Sequence, residues 1–81
     1  MFDLEWVLNR DAEFRVQLLG RMKFDCDSAL EDKAYGHLWA KNEKEQIHFM
    51  KAIWNSLPEE EKPEWLSLDE IIEYENKMVN S

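Results

Sequence analysis

The side chains best suited to bind a metal ion or to act as a nucleophile are one cysteine and two histidines, Cys26, His37 and His48. A zinc ion usually takes four nitrogen or sulfur ligands, so three scattered residues leave a zinc site incomplete unless a carboxylate joins them. Their spacing matches no metal-binding motif, and it does not favour a thiol activated by a histidine. We therefore predict no metal and no cofactor. Cys26 and His37 are expected to be structural residues, and His48 is expected to be half-exposed.

Carboxylates supply the other chemistry, because 18 of the 81 residues are aspartate or glutamate. Two carboxylates can act as a general acid and a general base, as in glycoside hydrolysis. With so many acids, however, some pair will lie close together by chance. A chain of this length is also too small to build a deep cleft around such a pair. We predict that the protein is not an enzyme.

The acids are concentrated near the end of the chain. Residues 1–58 carry 10 acids and 8 bases, a balance of −2, whereas residues 59–81 carry 8 acids and 2 bases, a balance of −6. Direct binding to nucleic acid is disfavoured, since it requires clustered lysine and arginine. A partner protein with a basic surface is electrostatically allowed.

The acidic segment, residues 59–75, is the candidate partner-binding surface. One interpretation is that its acids form a solvated surface and favour the start of a helix through the helix dipole. The other is that they imitate phosphates and occupy a basic, nucleic-acid-binding groove of a host protein. Tryptophans are common binding anchors, and we expect Trp39 and Trp54 in the core. Trp6 and Trp65 are the candidates for an anchor that faces the partner, although the favoured role of Trp65 is to pack in the core or to pin its loop. The candidate residues are Glu59, Glu60, Glu61, Glu64, Trp65, Asp69, Glu70 and Glu73.

Composition indicates one folded domain spanning residues 1–81. Apolar residues make up 44% of the chain and aromatic residues 12%, which is too rich for a disordered chain. A single cysteine excludes an internal disulfide and favours the cytoplasm of a host cell. The first eight residues include two acids where a signal peptide would need bases. No apolar run approaches the ~20 residues that cross a bilayer.

Apolar residues recur at helical spacing in three long segments, which predicts an all-α fold: a small bundle of three main helices with a short N-terminal helix. The short helix covers residues 3–9 and the first long helix residues 12–31; the alternative is one continuous helix through residues 9–11. The second long helix starts after Asn42, and Pro58 either ends it or opens a short turn capped by Ser56. The last one starts after Ser67 and frays at residues 80–81. Glu45 and Glu70 complete capping boxes with Asn42 and Ser67.

The apolar stripes define the predicted core. Gly20 lies inside the first stripe and is expected to permit a close helix crossing. Gly36 is the expected turn in the connection between the first two long helices. The predicted core residues are Phe14, Leu18, Leu19, Met22, Cys26, Ala29 and Leu30 in the first long helix, Ile47, Met50, Ile53, Trp54 and Leu57 in the second, and Ile71, Ile72, Tyr74, Met78 and Val79 in the last.

Several short motifs carry a resemblance to a known family. They are LLGRM at 18–22, DCD at 25–27, HLWA at 37–40, QI at 46–47, NSLP at 55–58, KPEWL at 62–66, and residues 71–78. Over residues 18–78 the chain resembles the large polyvalent protein-associated domains of phages and conjugative elements, the eleventh of that series above all. The resemblance implies an accessory domain of a mobile element and supplies no catalytic residues. The chain differs from the family in the connection before His37.

The resulting functional hypothesis is a non-enzymatic, protein-binding accessory module of a phage or mobile element. Its specific form is anti-defence: the acidic segment, acting as a nucleic-acid mimic, inhibits a host defence protein that targets nucleic acid. The alternative is a self-association domain, in which the surplus of apolar residues forms a homodimer. A small DNA-binding regulator is the weakest hypothesis, because no helix presents clustered bases.

Overall fold

The computed structural model describes residues 3–32, 38, 40 and 42–80. Within them the chain forms four α-helices and no strand, which confirms the all-α prediction of three main helices preceded by a short one. The helices are α1 (Leu4–Leu8), α2 (Ala12–Asp32), α3 (Glu43–Ser56) and α4 (Leu68–Met78), with a 3₁₀ turn at Glu59–Glu61 between α3 and α4. The predictions for Gly36, His37 and Trp39 lie outside the described residues.

Each helix begins at a polar residue whose side-chain oxygen accepts a hydrogen bond from a backbone N–H three residues further on. Such caps satisfy donors that the first helical turn leaves free. The cap residues are Asp3, Asp11, Asn42 and Ser67, with oxygen–nitrogen distances of 2.8, 2.8, 2.8 and 3.2 Å. The helix starts inferred from Asn42 and Ser67 are therefore confirmed. Ser56 caps no turn, since its hydroxyl donates to the carbonyl oxygen of Ile53.

Helix α3 is the centre of the packing, because it contacts α1, α2 and α4. Most predicted core residues are buried, among them Leu19, Met22, Ile47, Met50 and Ile53. Leu66 and Ile71 are buried on either side of the Ser67 cap, as expected of a hydrophobic staple. Ile72 is exposed, so its assignment to the core is wrong. Phe14, Leu30, Trp54 and Val79 are only partly buried.

A buried glutamine forms a polar link between α2 and α3. The Gln46 amide oxygen accepts from the backbone N–H of Ala40 at 2.9 Å, and its nitrogen donates to the carbonyl oxygen of Met22 at 3.2 Å. Both bonds lie in the interior, where an unsatisfied polar group would be costly. Asp25 of α2 is also buried, and it pairs with Arg21 at 3.2 Å.

Polar contacts hold α4 and the preceding loop against α2 and α3. The Trp54 indole donates to the carbonyl oxygen of Leu66 at 3.0 Å. The Tyr74 hydroxyl donates to Asp27 of α2 at 2.5 Å, and Lys51 of α3 pairs with Glu75 at 2.8 Å. The acidic segment is thus fixed to α2 and α3 at several points along its length.

Candidate functional site

The predicted partner-binding residues lie on the surface. Glu59, Glu60 and Glu61 form the 3₁₀ turn, and Glu64 follows in the turn before α4. Six of the seven acids are exposed, and the seventh, Glu70, is half-buried in the first turn of α4. Asp69 and Glu70 also interact favourably with the helix dipole, so part of their placement has a structural cause.

Most of these carboxylates have no ion-pair partner among the described residues. Within that part of the chain, Glu59 lies 3.6 Å from the ammonium of Lys62, and because the Glu59 side chain is exposed the pair is weak. No ion pair of a described residue reaches the other six: Glu60, Glu61, Glu64, Asp69, Glu70 and Glu73. Their negative charge is therefore not neutralised by a base of the described residues.

Lys62, one of the two bases near these acids, is turned inward. Its side chain is 16% exposed, and its ammonium donates to the carbonyl oxygen of Leu57 at 2.6 Å. The same ammonium lies 4.9 Å from the ring centre of Trp54, a cation–π contact. Because Lys62 serves the interior, it does little to reduce the outward negative potential of the acidic segment.

Trp65 lies between the interior and solvent. Its side chain is 45% exposed, while the ring edge reaches Gly20 of α2: a Cβ placed on Gly20 would lie 3.5 Å from the Cη2 atom of Trp65. Gly20 is therefore covered by a tryptophan ring. The prediction that it permits a close helix crossing is wrong. One side of the ring is held and the other faces solvent, which is the arrangement of a fixed aromatic anchor.

The exposed face of α4 continues the acidic surface and adds an apolar residue. Asp69 and Glu73 are one helical turn apart and therefore share a face. Ile72, adjacent to Glu73 and three residues after Asp69, is 39% exposed. Sequence reasoning placed Ile72 in the core because it follows Ile71, although one residue is a rotation of about 100° on a helix.

An open groove of about 390 Å³ lies where α2 approaches the 3₁₀ turn. Its apolar lining comes from Ala12 and Val16, and its polar lining from Glu13, Gln17 and Glu61. The carboxylates of Glu13 and Glu61 bring negative charge to the groove from two different elements. The groove thus extends the acidic surface from the 3₁₀ turn onto the start of α2.

The remaining candidate residues are in structural surroundings. The Cys26 thiol is fully buried, 3.7 Å from the Met50 sulfur, and burial raises the pKa of Cys26 to about 12, so it remains a neutral thiol near pH 7. His48 is exposed, more than the half-exposure expected. Trp6 stacks edge-on against Phe14 and carries the Arg10 guanidinium 4.5 Å above its ring.

Two further features are absent from the described part of the chain, a cluster of metal ligands and a membrane-spanning helix. No three His, Cys, Asp or Glu residues there are grouped so that they could hold a metal ion. Among the same residues, no helix combines the length and the apolar character needed to cross a membrane.

One exposed aromatic residue escaped the sequence analysis altogether. Phe24 is 67% exposed, more than any other large apolar side chain described. The sequence does carry a signal: Phe24 comes two residues after Met22 and two before Cys26, which places it opposite the buried stripe of α2.

Comparison with known proteins gives one match. The sequence model of the family described as large polyvalent protein-associated domain 11 matches residues 12–78. This confirms the resemblance and extends it from residue 18 to the start of α2. No curated protein and no solved structure matches the chain.

Proposed function

The chain belongs to the large polyvalent protein-associated domain 11 family, and on that premise we propose that it is a protein-binding accessory module of a phage or mobile element. It docks the acidic segment onto a basic surface of another protein in the host cytoplasm. The observation that carries this proposal is a set of surface acids that have no ion-pair partner among the described residues, beside a lysine that is turned inward. No catalytic step is assigned to it.

The charge pattern supports recognition of a basic partner. Unpaired carboxylates spread over the 3₁₀ turn, the next turn and the exposed face of α4 attract a basic surface over several ångströms and speed the encounter. Carboxylates already paired within the chain would lose that effect. Since exposed charges are screened by salt, the association should weaken as ionic strength rises.

Trp65 and Ile72 supply the apolar contacts that charges alone cannot provide. Binding free energy usually comes from a few aromatic or apolar anchors surrounded by polar residues. Trp65 is held against Gly20 on one side, so little of its conformational entropy remains to be lost on binding. The acids around it set the orientation of the partner.

The specific form of the proposal is that the partner's basic surface is a nucleic-acid-binding groove. Such grooves are lined with lysine and arginine that neutralise phosphates, and rows of carboxylates can take the place of phosphates. A host defence protein that targets nucleic acid would then be inhibited by competition. Direct binding of this acidic chain to nucleic acid is disfavoured.

The test uses purified host nucleases and other nucleic-acid-binding defence proteins as probes, each with its own DNA or RNA. The chain should displace the nucleic acid from its target, and the displacement should weaken as salt is raised. Replacing Glu60 and Glu64 by glutamine should weaken displacement about 3- to 10-fold. The matched control replaces two exposed acids outside the segment, Glu5 and Glu31, by glutamine. This variant should displace the nucleic acid as well as the unchanged chain does.

Two results would overturn the proposal. One is displacement that is indifferent to salt and to the Glu60/Glu64 double variant. The other is an equal loss in the Glu5/Glu31 variant, because only net charge would then matter. Trp65→Ala provides an independent check, since it removes an anchor and leaves every charge in place.

A further inference from the structure

We propose that the exposed face of α2 is an interface for a second copy of this chain, packed antiparallel about Phe24. This surface is distinct from the acidic segment, and the inference does not depend on the partner proposed above. Its central residue is Phe24, the most exposed large apolar side chain among the described residues. With 67% of its surface exposed, most of the Phe24 side chain is available to another chain.

The charges on either side of Phe24 are self-complementary. Arg21 precedes it by three residues and Asp27 follows it by three, and their side chains are 60% and 50% exposed. In an antiparallel pair of helices with a two-fold axis at residue 24, position 21 of one copy lies level with position 27 of the other. Arg21 and Asp27 keep their intrachain pairs with Asp25 and Lys23, and the exposed side of each Arg21 faces an Asp27 of the other copy, twice per dimer.

The next positions fit the same arrangement. Gln17 precedes Phe24 by seven residues and Glu31 follows it by seven, and both are exposed. The same axis sets a neutral amide level with a carboxylate, so no like charges meet at the ends of the strip. A parallel pair would instead set Arg21 beside Arg21 and Glu31 beside Glu31.

The rest of the surface argues against other modes of self-association. Two copies that met through the acidic segment would oppose unpaired carboxylates, which repel each other. On α2, in contrast, Arg21 and Lys23 balance Asp25 and Asp27 within the helix.

The interface is small, so the dimer should be weak, with a Kd on the order of 100 μM. Sedimentation of the full chain, from about a tenth of that concentration to several times above it, should show a monomer–dimer equilibrium. Phe24→Ser should raise the Kd by about tenfold or more. Ile72→Ser removes an exposed apolar residue elsewhere and should not change it. Arg21→Gln and Asp27→Asn should each raise the Kd several-fold.

Cysteine cross-linking tests the orientation. A Gln17→Cys chain mixed with a Glu31→Cys chain should form a mixed disulfide between positions 17 and 31, and each variant alone should form little. The native thiol at Cys26 is buried, so the wild-type chain should form none.

Three results would overturn the proposal. They are a strict monomer throughout the concentration range, a dimer that Phe24→Ser leaves intact, and disulfides between identical positions. Thermal unfolding of each variant shows whether the fold is kept. The Phe24→Ser chain should still displace nucleic acid from its target, which separates the dimer from the function proposed above.

Discussion

Helix α2 and the acidic segment contain the same kind of side chain and use it in opposite ways. In α2, Asp25 pairs with Arg21 and Asp27 pairs with Lys23, and Asp27 also accepts from the Tyr74 hydroxyl. In the acidic segment six carboxylates lack an ion-pair partner among the described residues. Net charge therefore says little about the role of an acid, because that role depends on the position of the nearest base.

The difference has a simple origin in the sequence. In α2 two of the three bases, Arg21 and Lys23, precede an acid by four residues, a spacing that brings their side chains together on a helix. In the acidic segment the nearby base, Lys62, instead donates to the carbonyl oxygen of Leu57 and contacts the Trp54 ring. The paired charges of α2 therefore stabilise the fold, and the six carboxylates of the acidic segment described above are not used in that way.

The largest effect on stability is expected from Gln46 of α3, a polar side chain that is fully buried. Gln46→Leu removes the acceptor for the buried N–H of Ala40 and the donor to Met22. We expect the free energy of unfolding to fall by about 2–3 kcal/mol. Urea denaturation measures it. Glu60→Gln, in the acidic segment, is the control and should change it by less than about 0.5 kcal/mol. Equal effects of the two variants would remove the distinction between the regions.

High pH should destabilise the fold through two buried groups, Cys26 of α2 and Tyr74 of α4. The pKa of Cys26 is raised to about 12 by burial, and the pKa of Tyr74 is raised by burial and then by its hydrogen bond to Asp27. Both groups are therefore more readily ionised in the unfolded chain, whose values are 9.0 and 10.0. Their stabilisation is complete below pH 9.0 and is lost as pH rises towards the folded pKa values.

The slope of this loss can be measured by urea denaturation at a series of pH values. Each group contributes up to about 1.4 kcal/mol per pH unit once the unfolded form ionises. Tyr74→Phe and Cys26→Ala should each remove part of the slope, whereas Glu64→Gln should not. A stability that is constant from pH 8 to pH 11 would contradict the burial of both groups.

Lys62 tests whether a base within the acidic segment belongs to the interior. Lys62→Met keeps the aliphatic chain beside Trp54 and removes the hydrogen bond to Leu57. We expect a loss of about 1–2 kcal/mol in urea denaturation. Lys44→Met, an exposed lysine of α3, is the matched control. If both variants behave alike, Lys62 is an ordinary surface base.

Gly20 is where the two regions touch, beneath the ring of Trp65. Gly20→Ala should raise the free energy of unfolding by about 0.5–1 kcal/mol, because alanine favours the helix and the added methyl would contact Cη2 of Trp65 at 3.5 Å, an ordinary distance. Gly20→Leu should lower it, since a larger side chain displaces the ring. A loss with alanine as well would mean that the ring lies closer than the structure indicates.

Local chemistry made the helices predictable. Asn42 and Ser67 were identifiable as caps because a capping residue acts on backbone groups only three positions away. The apolar stripes likewise predicted most of the core, since the helical repeat alone places Leu18, Met22 and Cys26 on one side.

Long-range contacts explain what the sequence could not supply. The burial of Gln46 depends on Ala40 and Met22, and the inward turn of Lys62 depends on Trp54, so no local pattern contains either. Exposure of the acids was predictable because carboxylates are rarely buried. Their lack of ion pairs was not, because it depends on where each base folds.

The smallest effect on stability is expected from the residues proposed to matter most for binding. Replacing Glu60, Glu64 and Glu73 by glutamine changes the net charge from −8 to −5 and removes no ion pair of the described residues. The midpoint of thermal unfolding should rise by no more than about 3 °C, because repulsion between like charges falls. Asp25→Asn is the same chemical change in α2, and it should lower the midpoint, since it weakens the pair between the buried Asp25 carboxylate and Arg21. A shift of the same sign in both variants would mean that the two regions use their carboxylates alike.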